Sequence, residues 1–267
     1  MLFNSISFLI FFPTVFLLYW AIPGRARPWL LLIASCYFYM AFVPQYIFVL
    51  LYLITLDYTL GRLIGKSIGK TRIFYFLLSI VSNVGTLVIF KYFNFFNASV
   101  ADLASLLHWN YSLEALSLIL PLGLSFHIFQ SLAYVIEVYR GNYQAEKNFK
   151  TYALYVMFFP QMVAGPIERP AQLIPQLKIT QTFRYNQVVS GLRLVAWGFF
   201  KKIVIANNLA VLVNFVYARA SDSDASMLLI AVFAFSIQLY ADFSGYSDIA
   251  VGSAKMHLSI FLRGSCN

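Results

Sequence analysis

The chain has 267 residues, of which 61% are hydrophobic, 18% aromatic and only 11% charged, and its net charge is +9. Soluble domains carry about 25% charged residues, so a chain this apolar cannot clothe itself for water and reads as an all-α, polytopic transmembrane helical bundle. The basic residues sit in clusters between apolar runs, which excludes nucleic acid as a partner and points to the lipid bilayer.

The first apolar run, 6–23, has no basic residue before it and Arg25 and Arg27 after it, the reverse of a secretory leader. It is read as a retained helix. Runs at 28–43 and 45–60 predict two short helices joined tightly at Pro44, and 73–93 predicts a fourth crossing. The fifth run, 113–139, contains Pro121 and Gly123, which predict a kink or a break.

Arg62, Lys66, Lys70 and Arg72 follow the third run, and Arg140, Lys147 and Lys150 follow the fifth. The alternate loops, near Pro44 and across 94–112, contain no Lys or Arg. By the positive-inside rule the N-terminus lies outside and the basic loops are cytoplasmic. Neither Cys36 nor Cys266 suggests a disulfide framework or a metal motif. Asn97-Ala-Ser and Asn110-Tyr-Ser match the glycosylation pattern but are read as chance matches.

The stretch 151–180 does not resemble an ordinary span. Pro160 closes a nine-residue apolar opening, and Gly165, Pro166, Glu168, Arg169, Pro170 and Pro175 then forbid a regular helix. Such backbone survives at membrane depth only when buried in protein or lining a wet cavity. A re-entrant, broken segment is predicted, with an interfacial helix and loop as the alternative. Arg184, Arg193, Lys201 and Lys202, interleaved with apolar residues, predict a helix lying in the cytoplasmic interface. The run 203–218 then crosses outward, Asp222 and Asp224 sit in the outer loop, and about 227–250 returns, an estimate from span length.

Within 126–138, at 100° per residue, His127, Gln130, Ser131 and Tyr134 share an arc of about 100°, with Glu137 at its edge. In the last run Gln238, Asp242 and Tyr246 are spaced i, i+4, i+8, whereas Asp248 lies on another face. Polar groups in hydrocarbon need partners or a wet cavity. The basic groups of the 184–202 helix, or Arg169, are the simplest compensation for the two aspartates. Two readings stay open for all of these side chains, helix-to-helix adhesion and a functional site. His127 is a possible general base, with no partner assigned by spacing.

Four stretches carry a resemblance: "GLSFHIFQSLAYVIEVYRG", "FFPQMVAGPIERPAQLIPQL", "GLRLVAWGFFKKIVIANNLA" and "QLYADFSGYSDIAVGSAKM". Together they resemble the membrane-bound O-acyltransferase family, in its bacterial alginate O-acetyltransferase-like branch. The likeness extends over 1–256, as the N-terminal part of such a domain, and leaves 257–267 as a tail outside it.

The resemblance implies a helical protein of the bacterial inner membrane with a central tunnel. The tunnel-lining candidates are His127, Gln130, Ser131, Tyr134, Glu168, Arg169, Gln238, Asp242 and Tyr246. It implies a co-substrate, acetyl-CoA or an acyl-carrier thioester, with no bound cofactor or metal. It also implies an exopolysaccharide acceptor such as alginate and periplasmic acetylation partner proteins. In the family the pattern continues into Trp-Arg-Arg-Trp-His and Trp-His-Gly stretches that this sequence lacks, so no catalytic His is assigned and His257 is not carried over. The chain is expected to be an incomplete, inactive fragment. A transporter or channel, or a non-catalytic membrane scaffold, is the alternative.

Overall fold

Ser5 starts the first helix by accepting the Phe8 N–H on its hydroxyl at 3.2 Å. From there α1 runs Ile6–Ala21 and stops where Ile22, held extended ahead of Pro23, leaves the helical region. A computed structural model describes every residue except 1, 2, 4, 107, 108, 110–122, 163, 164, 166 and 259–267. Among the described residues the structure is helical, with no strand.

Pro28 opens α2 (Arg27–Met40), and a 3₁₀ turn at Pro44–Tyr46 leads into α3 (Ile47–Lys66), as the tight connection at Pro44 predicts. Gly69, at φ +61°, lets the chain turn at once into α4 (Gly69–Leu106). This helix is 38 residues long, well beyond the expected 73–93. The reason is local: no glycine or proline interrupts 86–106, and the hydroxyls of Thr86 and Ser99 bond back to carbonyls four residues earlier.

The break predicted in the fifth run appears as the start of α5 (Leu124–Arg140) immediately after Gly123, at φ +78°. Residues 113–122 of that expected span lie outside the described residues. Gly141, at φ +80°, ends α5 with a left-handed cap.

The stretch 151–180 is broken as expected. It forms α6 (Phe149–Met157), a 3₁₀ turn at Phe159–Gln161 and α7 (Pro170–Lys178). Every residue from Thr151 to Met162 is buried. Side chains from other helices satisfy its irregular backbone. Ser35 of α2 accepts the Phe159 N–H at 3.1 Å, Gln130 of α5 accepts the Glu168 N–H at 3.0 Å, and Tyr155 donates to the Glu168 carbonyl at 2.8 Å.

The helix expected to lie in the interface is instead continuous with the next one. α8 (Tyr185–Phe199) passes through a π-helical segment, Phe200–Ala206, into α9 (Asn207–Tyr217), giving one helix of 33 residues. The last helix, α10 (Ala225–His257), runs antiparallel beside it. Glycines seven residues apart on each helix let the backbones meet. A Cβ on Gly198 would stand 2.6 Å from the Gly245 carbonyl, and one on Gly252 would stand 2.7 Å from the Gly191 carbonyl. Of the basic stretch, Lys201 and Lys202 turn to α10 along this seam, whereas Arg184 and Arg193 are exposed.

Among the described residues four helices are long and apolar enough to cross a membrane: Pro44–Lys66, Gly69–Ala101, Tyr185–Tyr217 and Ala225–His257. Their outward faces carry exposed Phe74, Val81, Phe233, Tyr240 and Phe243, an apolar surface that suits lipid. Helices α3, α4 and α5 pack together on one side and α8, α9 and α10 on the other. The broken segment lies among α2, α3, α5 and the C-terminal part of α10.

Candidate functional site

The polar stripe of α5 faces inward. His127, Gln130, Ser131 and Tyr134 are all buried, because α3, α6 and the irregular chain after α6 close over that face. Tyr134 accepts the Glu146 N–H on its hydroxyl at 2.8 Å and packs against Gly61, where a Cβ would stand 2.8 Å from the ring's Cε1. It ties α5 to α3 and to the loop where Glu146 pairs with Lys178 at 2.6 Å.

Ser131 belongs to a network that the sequence reading missed. Its hydroxyl donates to Asp57 of α3, which also accepts from Ser79 at 2.6 Å and from Asn83, whose Nδ2 is 2.9 Å from both carboxylate oxygens. With the Ser131 proton committed, Tyr152 must donate to Ser131 across 2.7 Å. One carboxylate therefore links four helices, α3, α4, α5 and α6, without a cationic partner among the described residues. The only signal in sequence was an Asp inside an otherwise apolar run, 47–60.

The remaining polar groups of α5 meet the break. His127 Nδ1 lies 3.0 Å from the Val156 carbonyl, and since a carbonyl only accepts, Nδ1 carries the proton. Nε2 is then a free lone pair, buried and without a partner among the described residues. Gly123 makes this corner possible: a Cβ there would lie 2.4 Å from the Met162 carbonyl and 3.7 Å from His127 Nε2.

Among the described residues, Gln130 uses Oε1 on the Glu168 N–H and leaves Nε2 unpartnered, and neither polar atom of the buried Gln161 side chain has a partner. The Tyr39 hydroxyl is likewise unpartnered, with its ring 5.6 Å from that of His127. Buried polar groups are nearly always bonded, so these unpaired donors and acceptors make the junction the candidate site for a polar ligand. Beside it Glu168 is buried, and burial pushes its carboxyl up to about 7. Arg169, next in an extended stretch, points the other way and is exposed.

The remaining three candidates sit elsewhere, on α10. Lys202 pairs with Asp242, and its ammonium lies 4.7 Å from the centre of the Tyr246 ring. Lys201 pairs with Asp248 at 2.6 Å and donates to Ser244 at 2.8 Å. The basic residues of the 184–202 stretch, not Arg169, therefore compensate the two aspartates. The π-helical widening that begins at Phe200 coincides with this pair of neighbouring lysines, both turned to α10. Gln238 is half-buried, with Oε1 unpartnered. No hydrogen bond or ion pair links this group to the His127 cluster among the described residues.

His257 ends α10 between the rings of Phe12, Phe16, Tyr19 and Phe159, with Nδ1 on the Ser253 carbonyl at 2.8 Å. No group of three or more His, Cys, Asp or Glu that could hold a metal is gathered among the described residues.

Apolar outward faces, buried carboxylates and a polar cluster at a helix break define a multi-pass membrane protein with an internal polar site. No family model matches the chain. Over 262 residues, 96% of this chain, it is 34% identical to the "Probable alginate O-acetylase" of Pseudomonas aeruginosa, covering 49% of that protein. It is 32% identical to the "Peptidoglycan O-acetyltransferase" of Helicobacter pylori over 94% of this chain and 53% of that one. To the "Teichoic acid D-alanyltransferase" of Bacillus subtilis it is 25% identical over 140 residues, 51% of this chain and 35% of that protein. Along nearly its whole length the chain is therefore similar to O-acetyltransferases, in line with its resemblance to the membrane-bound O-acyltransferase family. It spans about half the length of the first two relatives.

Proposed function

We propose that the whole protein is an O-acetyltransferase of the bacterial inner membrane, with its N-terminus in the periplasm, acting on hydroxyls of an exopolysaccharide such as alginate. The donor would be acetyl-CoA or an acyl-carrier thioester on the cytoplasmic side, and periplasmic acetylation proteins would complete delivery. In such a transfer the acceptor hydroxyl attacks the acyl carbonyl, its proton passes to a base and the thiolate leaves.

The observation that carries this reading is the cluster of unpartnered polar atoms around His127 in a chain with O-acetyltransferase relatives. The Nε2 groups of Gln130 and Gln161 are donors suited to an acyl carbonyl. His127 Nε2 is an acceptor suited to a hydroxyl. These residues hold and orient; no residue of this chain is assigned as the base. Glu168, Asp242, Tyr246 and Gln238 would form further wall of the same path, with Arg169 at its margin.

The test is the acetyl-ester content of the exopolymer in a strain lacking the gene, before and after the gene is restored at the relatives' full length. Restoration of esters supports the proposal. An ester content indifferent to deletion ends it.

A further inference from the structure

A second concave site lies at the opposite end of α5 from the break. It is a cleft of about 350 Å³ lined by Arg62, Lys66, Arg72 and Lys147, with Tyr143 and Gln144 beside them and no carboxylate among its lining residues. Its cations come from three separate parts of the chain: the last turns of α3, the first turn of α4 and the loop before α6. Glu146, the acid adjacent to Lys147, is turned away into its pair with Lys178. The cleft therefore gathers positive charge with nothing in it to balance that charge.

Part of the cleft is built rather than merely exposed. Arg72 donates from Nη2 to the carbonyls of Val138, at 3.2 Å, and Tyr139, which end α5, and its guanidinium stacks 5.4 Å from the Tyr139 ring centre. Its Nε is buried and unpartnered. Arg62 is steadied by the ring of Tyr58 at 5.7 Å. The rim is apolar. Ile68, in the turn between Lys66 and Arg72, is 89% exposed, and Leu63, Ile73 and Phe74 are exposed beside it.

A cationic pocket framed by exposed apolar residues, at the end of membrane-crossing helices, matches a ligand with a phosphate head and hydrocarbon chains. We infer that this cleft binds the phosphate headgroup of an acidic phospholipid of the cytoplasmic leaflet. Basic residues close to the membrane surface attract acidic lipid, and basic pockets between membrane helices hold such headgroups. The inference is independent of the acyl-transfer reading, which concerns the other end of α5.

The test is native mass spectrometry of the purified, detergent-solubilised chain with phosphatidylglycerol, phosphatidylcholine or inorganic phosphate. The chain is expected to retain phosphatidylglycerol in preference to phosphatidylcholine. The triple variant R62Q/K66Q/K147Q should lose that preference by about tenfold or more, following the loss of that attraction, while phosphatidylcholine adducts persist as evidence of an intact fold. Arg72 is left in place because it also caps α5. A control variant, R25Q/K70Q, removes basic charge outside the cleft and should keep the preference. Three results would each overturn the inference: a preference that survives in the triple variant, an equal loss in the control, or displacement of the lipid by inorganic phosphate.

Discussion

Ser79 Oγ lies 2.6 Å from Asp57 Oδ1, so a hydroxyl of α4 donates to a carboxylate in the middle of α3, with both side chains fully buried. Asn83 and Ser131 complete the shell. Removing the carboxylate in Asp57→Ala strands these donors in a dry interior, where each unsatisfied group costs about 1–3 kcal/mol. Asp57→Asn keeps one acceptor, and the serine hydroxyls can rotate to accept from its amide. Thermal unfolding in detergent should therefore fall steeply for D57A and only modestly for D57N. Equal losses would mean that the charge, rather than the hydrogen bonds, holds α3, α4, α5 and α6 together.

The seam between α8 and α10 gives a test by contrast. Alanine exceeds glycine in a helix interior by about 1 kcal/mol, so Gly→Ala should stabilise wherever space permits. At Gly85 nothing lies within 4 Å of the added Cβ, whereas at Gly198 it would stand 2.6 Å from a backbone carbonyl that cannot move aside cheaply. G85A should leave the unfolding temperature unchanged or raise it. G198A should lower it, by overpacking worth about 1–3 kcal/mol. A neutral G198A would refute the close approach.

Lys201 and Asp248 are each largely buried, at 17% and 23% side-chain exposure. Breaking such a pair leaves an uncompensated charge, while replacing both partners removes charge and partner together. K201Q and D248N should each destabilise, by up to about 3 kcal/mol, and the K201Q/D248N double variant should recover more than half of that loss. Additive losses in the double-variant cycle would show that the pair does not interact.

Glu168 introduces a pH dependence of definite sign. Burial raises its carboxyl from 4.5 to about 7, so the folded chain holds this proton more tightly than the unfolded chain. Its contribution to stability is fully present below pH 4.5 and is lost as pH rises through about 7. Unfolding temperatures measured from pH 5 to 8 should decline less in E168Q than in the parent chain. Parallel profiles for the two would assign the decline to another group.

The helical architecture and the inward stripe of α5 were legible because both depend on local periodicity. A run of apolar residues needs no partner to be recognised, and His127, Gln130, Ser131 and Tyr134 reveal their common face by spacing alone. The Asp57 network was not legible. Its donors Ser79 and Asn83 stand on a different helix, and nothing local to Asp57 announces them. The glycine seam left a trace, since 191 and 198, like 245 and 252, are seven apart, but its meaning depends on which two helices touch. The basic stretch 184–202 misled for a related reason. Lysines that resemble an interfacial face become buried partners once two aspartates arrive from α10. Arg169 illustrates a smaller rule: in extended chain successive side chains point to opposite sides, so sequence adjacency to buried Glu168 placed it outside.

His127 offers the sharpest test of the site. Its two ring nitrogens do different things: Nδ1 bonds the Val156 carbonyl, and Nε2 is free beside Gly123. Asparagine places an amide near the Nδ1 position and reproduces the first role without the second. Glutamine reaches toward the Nε2 position and can supply an acceptor there. If the residue serves only the fold, H127N should restore both stability and exopolymer acetylation in the full-length gene. If Nε2 meets a substrate hydroxyl, H127N should accumulate normally yet lose acetylation by about tenfold, the order expected for one lost hydrogen bond, with partial rescue in H127Q. Ester content normalised to the amount of protein in the membrane distinguishes the two outcomes, and the second is expected.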